Sequence, residues 1–320
     1  MKILVTGGAG FIGSHLCDKL IAEKHKVICV DNFITGFQEN IQHLLKNPFF
    51  RLVKHDVINP LILPTKVDAI FHLASPSSPN HHSPLSYHSH PLQTMRVNTE
   101  GTLQLLKLAK KHRAKFLFAS TSEVYGDPEM HPQKEDYNGN VSTTGPRSVY
   151  DESKRFGETL TAHYLKKESV DARIARIFNT YGPRMQKVDM RMIIRFITQA
   201  LAAVPITVFG DGKQTRSLCY IDDMVEGLTR LMFYPETKGE IVNLGSVEEF
   251  TVLEYAKLIK KLTRSSSSIT FSEPLPEGDP KKRKPDINKA KKLLQWEAKI
   301  AIEPGLMKTI KYLYHFAVNE

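Results

Sequence analysis

The chain has 320 residues, 41% of them hydrophobic and 24% charged. That composition excludes disordered and fibrous classes, and the lack of a long unbroken apolar run excludes a membrane-spanning helix. Lysine and arginine outnumber aspartate and glutamate by 44 to 34, and the net +10 favours an anionic partner: nucleic acid, a membrane surface or a phosphorylated small molecule.

In chain order, KILVT, KVICVD, FRLVKHD, AIFHLA and KFLFAS predict strands of nearly continuous apolar character, as in a parallel sheet covered on both faces. Between them, FIGSHLCDKLIAEK and TLQLLKLAKKHR carry apolar residues at helical spacing. DESKRFGETLTAHYLKKE predicts another helix and ARIARIF a sixth strand. This alternation indicates an α/β fold, a doubly wound parallel (Rossmann) sheet. Beyond Phe178 the rhythm is mixed: a helix over 189–203, ITVFG, a helix over 222–234, EIVNLG, TVLEYAKLIKKL, SSSSITF, a Pro/Gly/Lys-rich loop and a closing helix. A nucleotide-binding domain is therefore expected at 1–177. A smaller, mainly substrate-binding domain is expected at 178–320, with some segments returning to the first sheet. Cys17, Cys29 and Cys219 sit far apart in apolar patterns and read as buried free thiols. A strand beginning at Lys2 leaves no room for a cleaved leader, so the protein is expected to be cytosolic.

Thr6-Gly7-Gly8-Ala9-Gly10-Phe11-Ile12-Gly13 follows the first strand and opens a helix. Gly7, Gly10 and Gly13 suit a tight turn, close approach of backbone to a pyrophosphate, and close helix–strand packing. The helix N-terminus adds free N–H groups and partial positive charge. Asp31 follows at the end of the second strand, about 20 residues on, where a carboxylate accepts from the ribose hydroxyls of NAD and repels a 2′-phosphate. Asn32 brings no positive charge that would suit NADP, so NAD is the expected cofactor. Asp56, after the third strand, suits the adenine amino group.

Tyr150 and Lys154 stand one helical turn apart on one face. A free tyrosine hydroxyl is a poor base at neutrality, and a nearby ammonium and the positively charged nicotinamide both favour its phenolate. The phenolate is suited to take a proton from a sugar hydroxyl as the carbon is oxidised by NAD. Thr121 ends the fifth strand, where active-site residues of open α/β sheets collect, within reach of the substrate hydroxyl or the tyrosine oxygen.

Together, TGGAGFIGSHL, STSEVYG and YDESK resemble the extended short-chain dehydrogenase/reductases that act on nucleotide sugars. Within that group, VDNFITG, HDV, FHLASPSSP, ASTSEVYGDPE, HPQKEDY, GPRSVYDESKR, ARIFNTYGPRM, QTRSLCYIDD and DPKKRKPDI are similar to the UDP-glucuronate decarboxylase (UDP-xylose synthase) subfamily, over nearly the whole chain. The resemblance implies oxidation of the sugar at C4, loss of CO₂ from the β-keto acid, protonation at C5 and reduction back to a C4 alcohol with the cofactor recycled. It implies that Phe11, Ile12, Asn32, Thr35, Gly36, Val57, Leu73, Ala74 and Ser75 join the cofactor site. Glu123 and Arg216 are implied to act around C5, where an acid is needed, and the carboxylate. Ser122 is implied to hold the substrate with Thr121. Asn179, Arg184 and Arg191 are implied to contact sugar or diphosphate, arginine being suited to a bidentate grip on such anions. A homodimer through the helices near 97–113 and 150–167 is implied as well.

The 4,6-dehydratases of the group usually carry an Asp–Glu pair where Ser122 and Glu123 stand, and the 4-epimerases generally lack an acid matching Glu123. These two activities are the alternatives within the group. Outside it stands an NAD-sensing regulator or RNA-binding protein on the same fold, favoured by the net charge and by Lys281-Lys282-Arg283-Lys284. The intact Thr121/Tyr150/Lys154 set argues against that reading. The basic run lacks the interleaved aromatics of a nucleic-acid platform and reads as a solvated loop at the rim of an anion site. One stretch, 75–93, departs from the resemblance by being longer. Its His81, His82, His88 and His90 lack the supporting ligand spacing of a metal site, so no metal is expected; a mobile lid over cofactor and substrate is.

Overall fold

The computed structural model describes residues 1–318. Its first part alternates strand and helix: β1 (Lys2–Thr6), α1 (Phe11–Ala22), β2 (Lys26–Asp31), β3 (Phe50–Lys54), β4 (Ala69–His72), α2 (Pro91–Arg96), α3 (Thr102–His112), β5 (Lys115–Thr121), α4 (Ser148–Lys167) and β6 (Ala172–Ile177). The second part supplies β7 (Thr180–Tyr181), α5 (Met192–Leu201), β8 (Ile206–Phe209), β9 (Thr215–Ser217), β10 (Cys219–Tyr220), α6 (Ile221–Phe233), β11 (Ile241–Leu244), β12 (Glu249–Thr251), α7 (Val252–Thr263), β13 (Ile269–Glu273), β14 (Lys282–Arg283), α8 (Asn288–Leu294) and α9 (Ile302–Val318).

Seven strands form one parallel sheet in the order β11-β6-β5-β4-β1-β2-β3. The order reverses between β1 and β4, so a crevice opens there at the carboxyl ends of the strands, where open α/β sheets bind their ligands. Both faces of the sheet are covered, which explains the unbroken apolar runs. Ile3 and Val5 belong to a core shared with Leu16, Cys17 and Met224 of α1 and α6, whereas Leu4 points into a core with Leu105 and Leu106 of α3. EIVNLG returns to this sheet as β11, paired parallel with β6 from Ile241↔Ile174 to Leu244↔Ile177. The first core continues without a break into Ile194, Tyr255, Trp296 and Leu306, so burial ties the later helices to the sheet.

The stretch 75–93 is packed onto the second part. Ser83 Oγ donates to Val188 O (2.7 Å) and Asn80 Nδ2 to Met190 O (2.7 Å). Ser86 Oγ donates to Ser78 O (2.8 Å), pinning the stretch to itself. Its end is helical: Pro91, with φ already fixed and no N–H to satisfy, opens α2.

Candidate active site

The glycine-rich turn is shaped by what it excludes. Gly7 has φ +71°, and a Cβ on Gly13 would lie 2.0 Å from the Gly7 carbonyl oxygen, so backbone alone can occupy this corner. The first turn of α1 carries no acidic residue, leaving its positive end uncompensated. Asp31 is buried at the end of β2 and accepts from the Ala9 N–H (2.9 Å) and the Phe33 N–H (2.8 Å). Burial raises its carboxyl, and these N–H groups oppose that rise. One cavity runs over this floor, past Asp56 and on to Tyr150. A bare phosphate cradle, a fixed carboxylate and a long cavity at the switch point fit a dinucleotide with an unphosphorylated adenosine ribose.

The acid–base couple stands at the far end. Tyr150 and Lys154 lie on the buried face of α4, and Lys154 Nζ donates to Ala119 O (2.9 Å) while sitting 5.7 Å from the Tyr150 ring centroid. Burial pushes the Lys154 ammonium down to about 7. Burial also pushes the Tyr150 phenol up, against a hydrogen bond with Thr121. Desolvation is the largest influence on this phenol, so the phenolate depends on the positive charge of bound NAD as well as on the lysine. Thr121 caps the single turn Ser122–Tyr125 by accepting from the Glu123 N–H (3.3 Å), which turns Glu123 inward. Arg176 anchors the same region by a bidentate grip on Glu158 (2.9 and 2.8 Å).

Glu123 sits in a cage of charges. One carboxylate oxygen accepts from Arg147 and the other from Arg283. Burial would raise the Glu123 carboxyl, but the Arg147 and Arg283 guanidiniums overcome it and hold the group down at about 2. At neutral pH Glu123 is therefore held as a carboxylate between two guanidiniums. Arg216 donates to Asp279 (2.7 Å), and Arg147 reaches the same carboxylate at 3.5 Å. Asp151 Oδ2 stands 4.0 Å from Arg147 Nε. Two buried atoms here have no hydrogen-bond partner, Asp151 Oδ1 and Arg283 Nη2. A second cavity opens on this cage and shares Asn179 and Arg191 with the first.

The first cavity gathers every expected cofactor residue: Gly7, Gly10, Phe11, Ile12, Gly13, Asp31, Asn32, Thr35, Gly36, Asp56, Val57, Leu73, Ala74, Ser75, Tyr150 and Lys154. It also gathers Thr121, Ser122, Glu123, Asn179, Arg184 and Arg191. Arg216 lies on the wall of the second cavity instead. Arg184 is tied to Asp18 of α1 (2.6 Å) with its buried Nη1 unpartnered, and Arg191 is tied to Asp189 (2.5 Å). Sequence reasoning missed Arg147 and Arg283. Arg283 was read as part of a solvated run, yet it is 4% exposed because β14 pairs with β9 and turns alternate side chains inward. The signal for Arg147 was its place one turn before Tyr150. Tyr87 was missed too; fully buried, its ring stacks on Tyr150 at 5.0 Å with 5° between planes. His81 and His82 meet Glu273 with possible ligand atoms within 4.8 Å of one another, all three exposed.

Residues 3–245 match the NAD dependent epimerase/dehydratase family. The chain belongs to that family. It is 51% identical to UDP-glucuronic acid decarboxylase 1 of Danio rerio over 325 residues, covering 100% of this chain and 75% of that protein. It is 52% identical to UDP-glucuronic acid decarboxylase 4 of Arabidopsis thaliana over 314 residues, covering 97% and 68%. Among solved structures, it resembles the UDP-glucuronic acid 4-epimerase of Bacillus cereus in complex with UDP-glucuronic acid and NAD, with TM-score 0.86 and 33% identity over 99% of this chain and 100% of that one. The cofactor of this family is NAD, as the cradle and Asp31 require.

Proposed function

We propose that this protein is an NAD-dependent UDP-glucuronate decarboxylase, converting UDP-glucuronate to UDP-xylose through a 4-keto sugar. The observation that carries the reading is the cage: a Glu123 carboxylate gripped by Arg147 and Arg283, beside a Tyr150–Thr121–Lys154 set. Bound NAD supplies a reversible two-electron acceptor for the sugar C4 and a positive charge beside the phenol. With its phenolate favoured by that charge and by the Lys154 ammonium, Tyr150 takes the O4 proton as C4 becomes a ketone. The C5 carboxylate is then β to a carbonyl; its C–C bond breaks, CO₂ leaves, and the electron pair moves onto O4 as an enolate. Thr121 and Tyr150 hydroxyls donate to that oxygen, stabilising the charge where it develops. C5 next takes a proton from solvent water, the ketone is reduced, and Tyr150 returns the proton to O4. The sum is one proton consumed, one CO₂ released and no net oxidation.

Arg147, Arg216 and Arg283 are suited to receive the carboxylate before it leaves, while Asn179, Arg184 and Arg191 face the diphosphate side. A 4-epimerase of neutral sugars has no need for such a cage, whereas one acting on UDP-glucuronate meets the same carboxylate, so loss of CO₂ is what separates the two activities. The free, buried Cys17, Cys29 and Cys219 support a cytosolic setting, and among the described residues no helix is long and apolar enough to cross a membrane. Exposed Phe156 on α4 supports a homodimer through the helices near 97–113 and 150–167.

The test is to incubate purified protein with UDP-glucuronate and NAD and follow sugar nucleotides by mass spectrometry. Loss of one CO₂ per sugar, with UDP-xylose formed and no net cofactor reduction, is the expected result. Conversion without mass change means an epimerase, and loss of water from UDP- or dTDP-glucose a dehydratase.

A further inference from the structure

We propose that Asp151 sets the charge of the guanidinium cage: its carboxyl stays protonated while the sugar carboxylate enters, so the cage meets that carboxylate with one net positive charge. The inference rests on the substrate reading above and deepens it.

The cage holds three guanidiniums, Arg147, Arg216 and Arg283, and three carboxyl groups, Glu123, Asp279 and Asp151. With all six ionised it is neutral, and a further carboxylate gains little by entering. The three acids are held very differently. Each Glu123 oxygen takes a guanidinium, and Asp279 takes Arg216 at 2.7 Å. Asp151 has neither arrangement: it is 4% exposed, its Oδ2 is 4.0 Å from Arg147 Nε, beyond hydrogen-bond length, and its Oδ1 has no partner. A buried carboxylate without hydrogen bonds is costly, and taking a proton is the cheaper state. The groups around it come from several elements. Arg147, Tyr150 and Glu152 lie on or beside its own helix, Glu123 follows β5, Arg283 is on β14 and Tyr87 is in the 75–93 stretch. Burial first, then the Glu123 charge, raise the Asp151 carboxyl to about 7 against the pull of Arg147 and Arg283. It thus titrates where the cage's charge matters, and it is the one acid of the three with no bonded guanidinium.

The test compares two ligands that differ only by the carboxylate. UDP-glucuronate and UDP-xylose are titrated calorimetrically into NAD-loaded Tyr150→Phe protein, in which turnover is blocked, and into Tyr150→Phe/Asp151→Asn and Tyr150→Phe/Asp151→Ala. The uracil and diphosphate are common to both ligands, so their own ionisation cancels in the ratio of affinities. In the Asp151-containing protein, UDP-glucuronate affinity is expected to fall roughly tenfold between pH 6 and pH 8 by proton linkage, with UDP-xylose nearly unchanged. Both Asp151 variants should bind UDP-glucuronate at pH 8 as tightly as at pH 6. UDP-xylose binding reports that each variant is folded, and the two variants are run together so that failure of one leaves the comparison standing. A flat profile in the parent, or the same slope in the variants, overturns the role of Asp151 while leaving the decarboxylase reading intact. UDP-xylose binding with no UDP-glucuronate binding at any pH overturns the carboxylate cage itself and the inference with it.

Discussion

The cofactor floor and the guanidinium cage meet at Glu123, yet they are built in opposite ways. The floor is made of backbone. Gly7 to Gly13 form one continuous turn, Asp31 ends the next strand, and its carboxylate is fixed by N–H groups from residues 9 and 33. All of these parts lie within one strand–helix–strand unit near the start of the chain. The cage is made of side chains from five separate places, and its Glu123–Arg283 pair spans 160 residues. It exists only when β14 is laid against β9 and the start of α4 is brought under the end of β5. Such a cage concentrates opposed charges away from water, where removing one partner leaves the other exposed to the full desolvation penalty. The floor should therefore be tolerant and the cage brittle.

Breaking the chemistry between them should give the largest effect. Tyr150→Phe removes the hydroxyl that exchanges the O4 proton, and kcat is expected to fall by about 10²–10⁴ with UDP-sugar binding retained. Next comes the cage. Glu123→Gln leaves Arg147 and Arg283 against a neutral amide, and unfolding free energy should drop by roughly 3–5 kcal/mol in urea melts, with activity lost in the same variant. An unchanged midpoint would mean that the cage is looser than its geometry. The floor should give less: Asp31→Ala removes a charged acceptor, and NAD affinity is expected to fall on the order of ten- to a hundredfold in fluorescence titrations, matching about 1.5–3 kcal/mol, with the UDP-sugar site intact.

The same contrast explains what was legible in the sequence. The strand–helix alternation, the glycine turn, Asp31 and the Tyr150–Lys154 spacing are local signals, and the structure brings all of those residues to one cavity. Arg147 gave only its place one turn before Tyr150, and Arg283 gave no local signal of its function. Arg283 stood among lysines and looked solvated because nothing in KKRK says that a two-residue strand will bury every second side chain. Glu123 was legible as a residue but not as an ionisation state, which depends on those two unseen partners. Tyr87 was hidden for another reason: it lies in the stretch where 75–93 departs from the resemblance, and only tertiary packing sets it against Tyr150.

The smallest expected effect sharpens the comparison from beneath the floor. His72 ends β4, fully out of water, with one ring nitrogen 2.9 Å from Thr6 Oγ1 and the other 3.2 Å from Thr102 Oγ1. Burial, helped by the Lys154 charge, pushes its imidazole down to about 3. Folded His72 thus stays neutral where unfolded histidine, with its ordinary value of about 6.5, takes a proton. The unfolded state binds more protons in that window, so this residue lowers stability as pH falls from 6.5 towards 3, by up to about 1.4 kcal/mol per pH unit. Glu123 has the opposite origin: its depressed carboxyl adds stability that persists above the ordinary glutamate range and is lost only as pH falls from about 4.5 towards 2. Between pH 4.5 and 6.5 Glu123 contributes no slope and the raised Asp151 carboxyl contributes one of opposite sign, so His72 supplies loss of stability on acidification where the cage does not. His72→Gln keeps a donor and an acceptor between the two threonines but cannot titrate. In urea melts across that window its unfolding free energy should slope less steeply with pH than the parent's, by about one proton's worth. Equal slopes would mean that His72 is not the group that takes up the proton on unfolding.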